Sequence, residues 1–236
     1  MINDNTIDRK ITNLLISEQE EEAKEHISSG KLTASMLGQP LLFQILKKLN
    51  VKEKDFEPYV LRKFKRGNHV EEWIKKYMDG IISEQEEVTY RDAFGKIDVL
   101  IDSSSYEFNL GIIPHEIKSV ANMKFKNILR NGEADPQHKL QACFYALAKN
   151  SKYYAIDYVA SDDYRIKTMI YETEDLKEEV DKIIDEYNYH IENKIIPDFV
   201  ARYKWQESKE YSMFPDFIGL KSDEVKIILE KLQINF

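Results

Sequence analysis

Cysteine is almost missing from this chain. Cys143 stands alone among 236 residues, so neither an internal disulfide nor a Cys-rich zinc site is open to it. Long apolar runs are missing as well. Nothing approaches the roughly 20 residues that a membrane span needs, and no amino-terminal signal pattern is present. The cytoplasm is therefore the expected compartment, with no membrane partner. There is no internal repeat, no low-complexity tract, and no helix-turn-helix, zinc-finger or RNA-binding signature of a dedicated base reader. Positive charge is also in deficit. The 34 Lys and Arg against 42 Asp and Glu leave a net charge of −8, which at first sight argues against a polyanionic partner.

The distribution of charge matters more than its sum. Acid concentrates in Glu18 to Glu25 and in Glu174 to Glu186. The stretch from Lys118 to Lys139 holds five basic residues (Lys118, Lys124, Lys126, Arg130 and Lys139) against two acidic ones, Glu133 and Asp135. Arg62, Lys63, Lys65 and Arg66 form a second basic cluster. A locally positive cleft on an acidic body still collects a polyanion.

Periodicity sets the expected elements. Residues 6–29 read as a polar, glutamate-rich helix, and 34–49 as an apolar one opened by Thr33 or Ser35. Residues 56–82 read as mainly helical, with His69, Trp73 and Tyr77 at successive steps of four. Strands are expected at 86–92, 95–102 and 112–119. A loop punctuated by Asn122, Asn127, Asn131 and Gly132 should follow over 120–135, then a helix over 136–150. The runs 153–160 and 165–172 form an expected hairpin around Ser161–Tyr164, and helices over 174–203 and 222–232 complete the chain. The expected fold class is α/β: a mixed central β-sheet flanked by helices. With 42% hydrophobic residues the chain can bury one core. A single domain, 1–236, is expected, with a helical extension over 1–55, a core over 56–172 and carboxy-terminal helices over 173–236.

One constellation spells out a chemistry. In Gly95–Ile101, alternation puts Ile97, Val99 and Ile101 on one face of a strand and Asp98 and Leu100 on the other. In Ile113–Ser119, Glu116 and Lys118 lie two residues apart and share a face, whereas His115 points the other way, towards packing. If the two strands are neighbours, two carboxylates and an ammonium meet. Like charges so close are costly unless a cation neutralises them, and hard oxygen donors select Mg²⁺ or Mn²⁺. A lysine beside them orients or deprotonates the attacking water. Together these are the parts for metal-assisted phosphodiester hydrolysis. Lys124, Lys126, Arg130 and His138 are candidates for phosphate contacts, and Glu72 reads as a solvated helix residue.

Asp98, the 18-residue step to Glu116, and Lys118 resemble the core signature of the PD-(D/E)XK nuclease superfamily. Gln141–Tyr145 resembles the Q-x-x-x-Y helix of its RecB-like and phage-exonuclease branch, and Arg66–Glu72 resembles that branch's Gly-x-His segment. The resemblance covers roughly residues 60–172. A fainter echo at Ser35–Gln44 has Gln39 where relatives carry a cysteine and Leu41 where they carry a basic residue, so packing is its better reading. Cys143 alone rules out the four-cysteine iron–sulphur cluster of some members.

The resemblance implies a restriction-endonuclease-like core and a metal held by His69, Asp98, Glu116 and the carbonyl of Ile117. It also implies catalytic roles for Asp98, Glu116, Lys118, Gln141 and Tyr145, the last two bordering the site and touching the DNA strand. The implied activity is a Mg²⁺-dependent DNA nuclease, an exonuclease of recombination, repair or turnover encoded by a phage or mobile element. The alternatives are a structure-selective endonuclease, a CRISPR-adaptation-type nuclease, an RNase, or an inactive module that binds nucleic acid or a partner. The acidic amino-terminal helix and the helix after residue 174 are the candidates for contacts with a second copy or a recombination partner protein.

Overall fold

The computed structural model describes residues 6–25, 31–210 and 212–236. Strands β1 (Ile81–Tyr90) and β2 (Ala93–Asp102) fold onto each other across Arg91, whose φ of 51° makes the tight turn. Strand β3 (Ile112–Val120) runs antiparallel to β2 and parallel to β4 (Tyr153–Ala160), and β5 (Ile166–Glu172) closes the sheet antiparallel to β4. The sheet order is β1-β2-β3-β4-β5. A parallel pair needs a crossover. Helices α4 (Asn122–Asn131) and α5 (Pro136–Lys149) supply it. The start of α5 is fixed locally: Pro136 is preset for a first turn, and the Asp135 carboxylate accepts from the Gln137 N–H at 3.1 Å.

Helices cover the sheet on both sides. On one side Leu140, Phe144 and Ala146 of α5 meet Tyr154, Ile156 and Tyr158 of β4. Helices α2 (Leu41–Lys48), α6 (Glu174–Glu192) and α7 (Ser222–Lys231) add Leu46, Ile184 and Val225 to the same cluster. On the other side α3 (Pro58–Lys75) lays Val70 and Ile74 on Val99, Ile101, Ile117 and Val159. Each such side chain, fully buried, contributes about 1.5–3 kcal/mol. Helix α1 (Thr6–Glu25) lies along α3 through the exposed pairs Arg62–Asp8 and Lys65–Glu18. The result is the expected α/β class, a mixed sheet between helices. Among the described residues no helix is long and apolar enough to cross a membrane.

Several expected boundaries move, each for a physical reason. The apolar run 34–49 is two elements: a 3₁₀ turn over Ala34–Met36, then α2 from Leu41. Pro40 lacks an N–H and disfavours helical geometry at Gln39, so no helix passes through. Thr33 caps nothing; it bridges to Phe94 of β2. The expected strand 86–92 starts at Ile81, because an edge strand tolerates the charged run Glu84 to Glu87. The expected loop 120–135 contains α4, which buries Phe125 and Ile128 and stops at Gly132 with φ 67°. Helix α6 ends at Glu192, short of Pro197. The amino-terminal helix was expected to reach residue 29; its last four positions, 26–29, lie outside the described residues.

Candidate active site

Strands β2 and β3 part where Asp98 and Glu116 sit. Their ladder runs from Asp102↔Ile112 to Val99↔His115, and then the Asp98 carboxylate accepts the Ile117 N–H at 2.8 Å. The alternation expected for β2 breaks at the same point. Ile97 joins the α5-side core, whereas Val99 and Ile101 join the α3-side cluster. Opposite Asp98, between the pairs Glu84↔Val99 and Glu86↔Ile97, Gln85 of β1 takes φ 51°. The outcome is a fork in the sheet, with α3 approaching from one side and α5 from the other.

The fork concentrates charge in a poorly solvated place. Glu116 is 1% exposed; one carboxylate oxygen is paired to the Lys118 ammonium and the other, Oε2, has no hydrogen-bond partner. Lys118 reaches the Gln141 carbonyl at 3.4 Å, and Gln141 donates to the Tyr145 hydroxyl at 2.9 Å. Gln141 and Tyr145, one helical turn apart, therefore form a single relay beneath Lys118. Burial, then the neighbouring carboxylates Glu116 and Glu71, push Asp98 up to about 8. Burial likewise raises Glu116, against the pull of Lys118. Burial opposes the charge of Lys118, but Glu116, Asp98 and Glu71 outweigh it and hold its pKa above the usual lysine value. Tyr145 is shifted upward by burial and by Glu116, so it stays a neutral phenol.

Two participants were not foreseen. Glu71 on α3 is the third carboxylate acting on Asp98 and Glu116. It is held by Lys75 at 2.6 Å and by the Gln85 amide at 2.7 Å, and Lys75 also approaches Glu84 at 3.5 Å. A signal for it lay in helical phase. Val70 and Ile74 are the residues α3 lays on the sheet, so positions 71 and 75 fall beside that contact. His69, expected as a metal ligand, lies on the face that carries Trp73 and Tyr77, about 160° from Glu71. It is exposed, and no hydrogen bond or ion pair ties it to the fork. Among the described residues no three His, Cys, Asp or Glu groups converge closely enough to grip an ion as they stand. The expected trio of His69, Asp98 and Glu116 is thus not assembled.

The remaining expected contacts divide. Ile117 enters the fork through its backbone alone, since its side chain belongs to the α3-side cluster. Lys126 and Arg130 lie exposed on α4, one turn apart, while Lys124 is paired with Asp135 at 3.1 Å. His138, a candidate phosphate contact, is half-buried on α5. Burial, then Lys118, lower its pKa to about 3. The Tyr158 hydroxyl accepts from the Asp135 N–H, which leaves its proton for His138 Nδ1 at 2.8 Å. The segment Ser35–Gln44 is packing: the Gln44 amide donates to the carbonyls of Met36 and Gln39, and the Gln206 amide to that of Gly38.

The residues present fit a divalent cation on two observations: the unmet, buried Oε2 of Glu116, and the upward shifts of Asp98 and Glu116, driven first by burial and added to by acidic neighbours. A bound cation would relieve both.

Known structures share this architecture. "Crystal structure of SSO0001" matches with a TM-score of 0.53 at 16% identity, over 89% of this chain and 97% of that one, which establishes a common fold. An alkaline exonuclease, LHK-Exo from Laribacter hongkongensis, matches with a TM-score of 0.48 at 15% identity, over 77% of this chain and 95% of its own. A phage-related exonuclease from Haemophilus somnus 129PT matches with a TM-score of 0.43 at 13% identity, over 70% and 96%. These exonucleases belong to the PD-(D/E)XK nuclease superfamily. No family model and no curated protein matches the sequence. The match above a TM-score of 0.5 shares the α/β class expected of the chain, a mixed sheet flanked by helices.

Proposed function

We propose that the chain is a Mg²⁺- or Mn²⁺-dependent deoxyribonuclease, an exonuclease that hydrolyses DNA phosphodiesters in recombination, repair or turnover. The observation that carries this reading is the fork itself: half-buried Asp98 and buried Glu116, with Glu116 Oε2 unmet and Lys118 alongside. Asp98, Glu116 and Glu71 would hold the cation, with the Ile117 carbonyl as a further donor. Loading requires the Lys118–Glu116 and Lys75–Glu71 pairs to loosen. When bound, the ion supplies the Lewis acidity that activates water and offsets charge on the scissile phosphate. Lys118, steadied by Gln141 and Tyr145, orients the attacking water and stabilises negative charge that develops on the phosphate. Lys126 and Arg130, one turn apart on the helix that follows β3, steer the backbone towards the fork.

The decisive measurement is cleavage of end-labelled linear duplex in Mg²⁺, beside a closed circle of the same sequence. Stepwise loss of label from linear DNA alone, abolished in Asp98→Ala and in Lys118→Ala, is expected. Cleavage that persists in Asp98→Ala would sink the assignment.

A further inference from the structure

Helix α3 continues beyond the fork as one uninterrupted face. Val60, Phe64, Gly67, Glu71 and Lys75 follow one another at steps of four, three, four and four, so all five lie along one side of the helix. At the far end of that side is a groove of about 270 Å³ between α3, α2 and the segment around residues 204–213. Its walls carry Phe56, Tyr59, Phe64 and Trp205, each between 40% and 48% exposed. Phe56 and Phe64 stand edge to face at 5.0 Å. Four half-exposed aromatic rings round one small groove are costly to leave in water.

Gly67 lies between this groove and Glu71, and it points separately to a ligand. Glycine in a helix interior is unfavourable beside alanine. Neither crowding nor a left-handed backbone requires it here: a Cβ at Gly67 would meet nothing within 4 Å. What a missing side chain provides is close access to the helix by atoms that are not protein. The lining carries Lys54 against Asp55, Glu57 and Glu210, with Lys63 over the Tyr59 ring, so the rings rather than charge must supply recognition. Aromatic rings recognise nucleobases of any sequence by stacking.

We propose that this groove holds unpaired bases of a single-stranded nucleic-acid segment, whose backbone passes over Gly67 to the carboxylates at the fork. The proposal rests on the nuclease reading above and names its substrate: a strand with an unpaired end. Seven residues separate Phe64 from Glu71, about 10 Å along the helix and about three stacked nucleotides. Overhangs of at least about that length are the preferred ends.

The chain's two tryptophans permit a direct test. In a Trp73→Phe background Trp205 is the sole tryptophan, and its emission is followed in EDTA while a thymidine oligomer is added. Quenching is expected, with none from an abasic oligomer of equal length. Phe64→Ala should weaken binding about tenfold or more. Gly67→Ala should melt higher than the parent yet bind about tenfold more weakly, a combination that a merely structural role does not produce. Emission unmoved by the oligomer, moved equally by the abasic strand, or moved only by an aromatic peptide would overturn the proposal, as would unchanged binding in Gly67→Ala. Because no metal is present, the two readings fail separately. Cleavage with a silent Trp205 removes the groove's role alone, and a responsive Trp205 without cleavage removes the nuclease alone.

Discussion

Adjacent residues of β3, His115 and Glu116, enter two buried polar clusters on opposite sides of one strand. On His115's side, its Nδ1 lies 2.6 Å from the Asp157 carboxylate, whose other oxygen accepts from Thr168 at 2.5 Å. One acid meets two partners, so the carboxylate is engaged on both oxygens, while the far ring nitrogen of His115, Nε2, has no partner. On the other side Asp98, Glu116 and Glu71 crowd together with two lysines, and burial, with the acidic neighbours, raises the pKa of Asp98 and of Glu116. The first cluster is a cross-strand fastener between β3, β4 and β5. The second stores repulsion that only an outside cation discharges in full. Burial and polarity are common to both; crowded acid marks the proposed active site.

That contrast breaks or stands on two substitutions. Asp98→Asn keeps an acceptor for the Ile117 N–H but removes a carboxyl whose ionised form burial and acidic neighbours disfavour. It is expected to lower cleavage on the order of a thousandfold while leaving metal-free protein as stable as the parent or more so. Asp157→Ala should do the reverse. It strands His115 and Thr168 without their acceptor and costs about 2–3 kcal/mol in urea unfolding, with cleavage per folded molecule unchanged. Equal losses of stability in both variants would erase the distinction between the two clusters.

The sequence shows the fork because strands are legible at period two. Once residues 95–101 and 113–119 read as strands, Asp98, Glu116 and Lys118 must share a neighbourhood if the strands pair. Gln141 and Tyr145 follow from helical spacing in the same way. Ile97 was misplaced because Gln85, opposite the fork, leaves the regular β conformation, and nothing in residues 95–101 signals a distortion of their neighbour. Helix α4 was hidden by asparagines that resemble loop punctuation, although Phe125 and Ile128 carry its apolar stripe. The run 34–49 misled in the opposite direction, since its periodicity continues across a proline that ends any helix. On α3 the choice between His69 and Glu71 turns on which apolar pair touches the sheet. Trp73 is as apolar as Val70 and Ile74 and, partly buried, packs against the same cluster, so apolar phase alone does not choose between the two faces.

The same helix supplies the next test of the comparison. If Glu71 belongs to the crowded cluster, Glu71→Gln should weaken Mn²⁺ binding, read by calorimetry on catalytically inert Lys118→Ala protein, and slow cleavage of the parent about a hundredfold. His69→Ala, on the exposed side of α3, should change either by less than about threefold. The opposite ranking would restore His69 as the ligand and remove Glu71 from the site.

The smallest effect concerns His138, which resembles the His115–Asp157 cluster more than the fork. Its imidazole accepts the Tyr158 proton and is held neutral, with a pKa near 3 when folded against about 6.5 when unfolded. Between those values the unfolded chain binds the extra proton and the folded one does not. Stability is therefore complete above pH 6.5 and declines as pH falls towards 3, by at most about 1.4 kcal/mol per pH unit from this group. Asp135, whose carboxyl burial raises but Lys124 and the Gln137 N–H bring below its usual value, loses stability in the same acid direction. Only a variant isolates the histidine. His138→Gln keeps an acceptor for Tyr158 without the titration, so its urea midpoint should fall less between pH 6.5 and 4.5 than the parent's. Parallel curves for the two proteins would mean that His138 takes up its proton in the folded state.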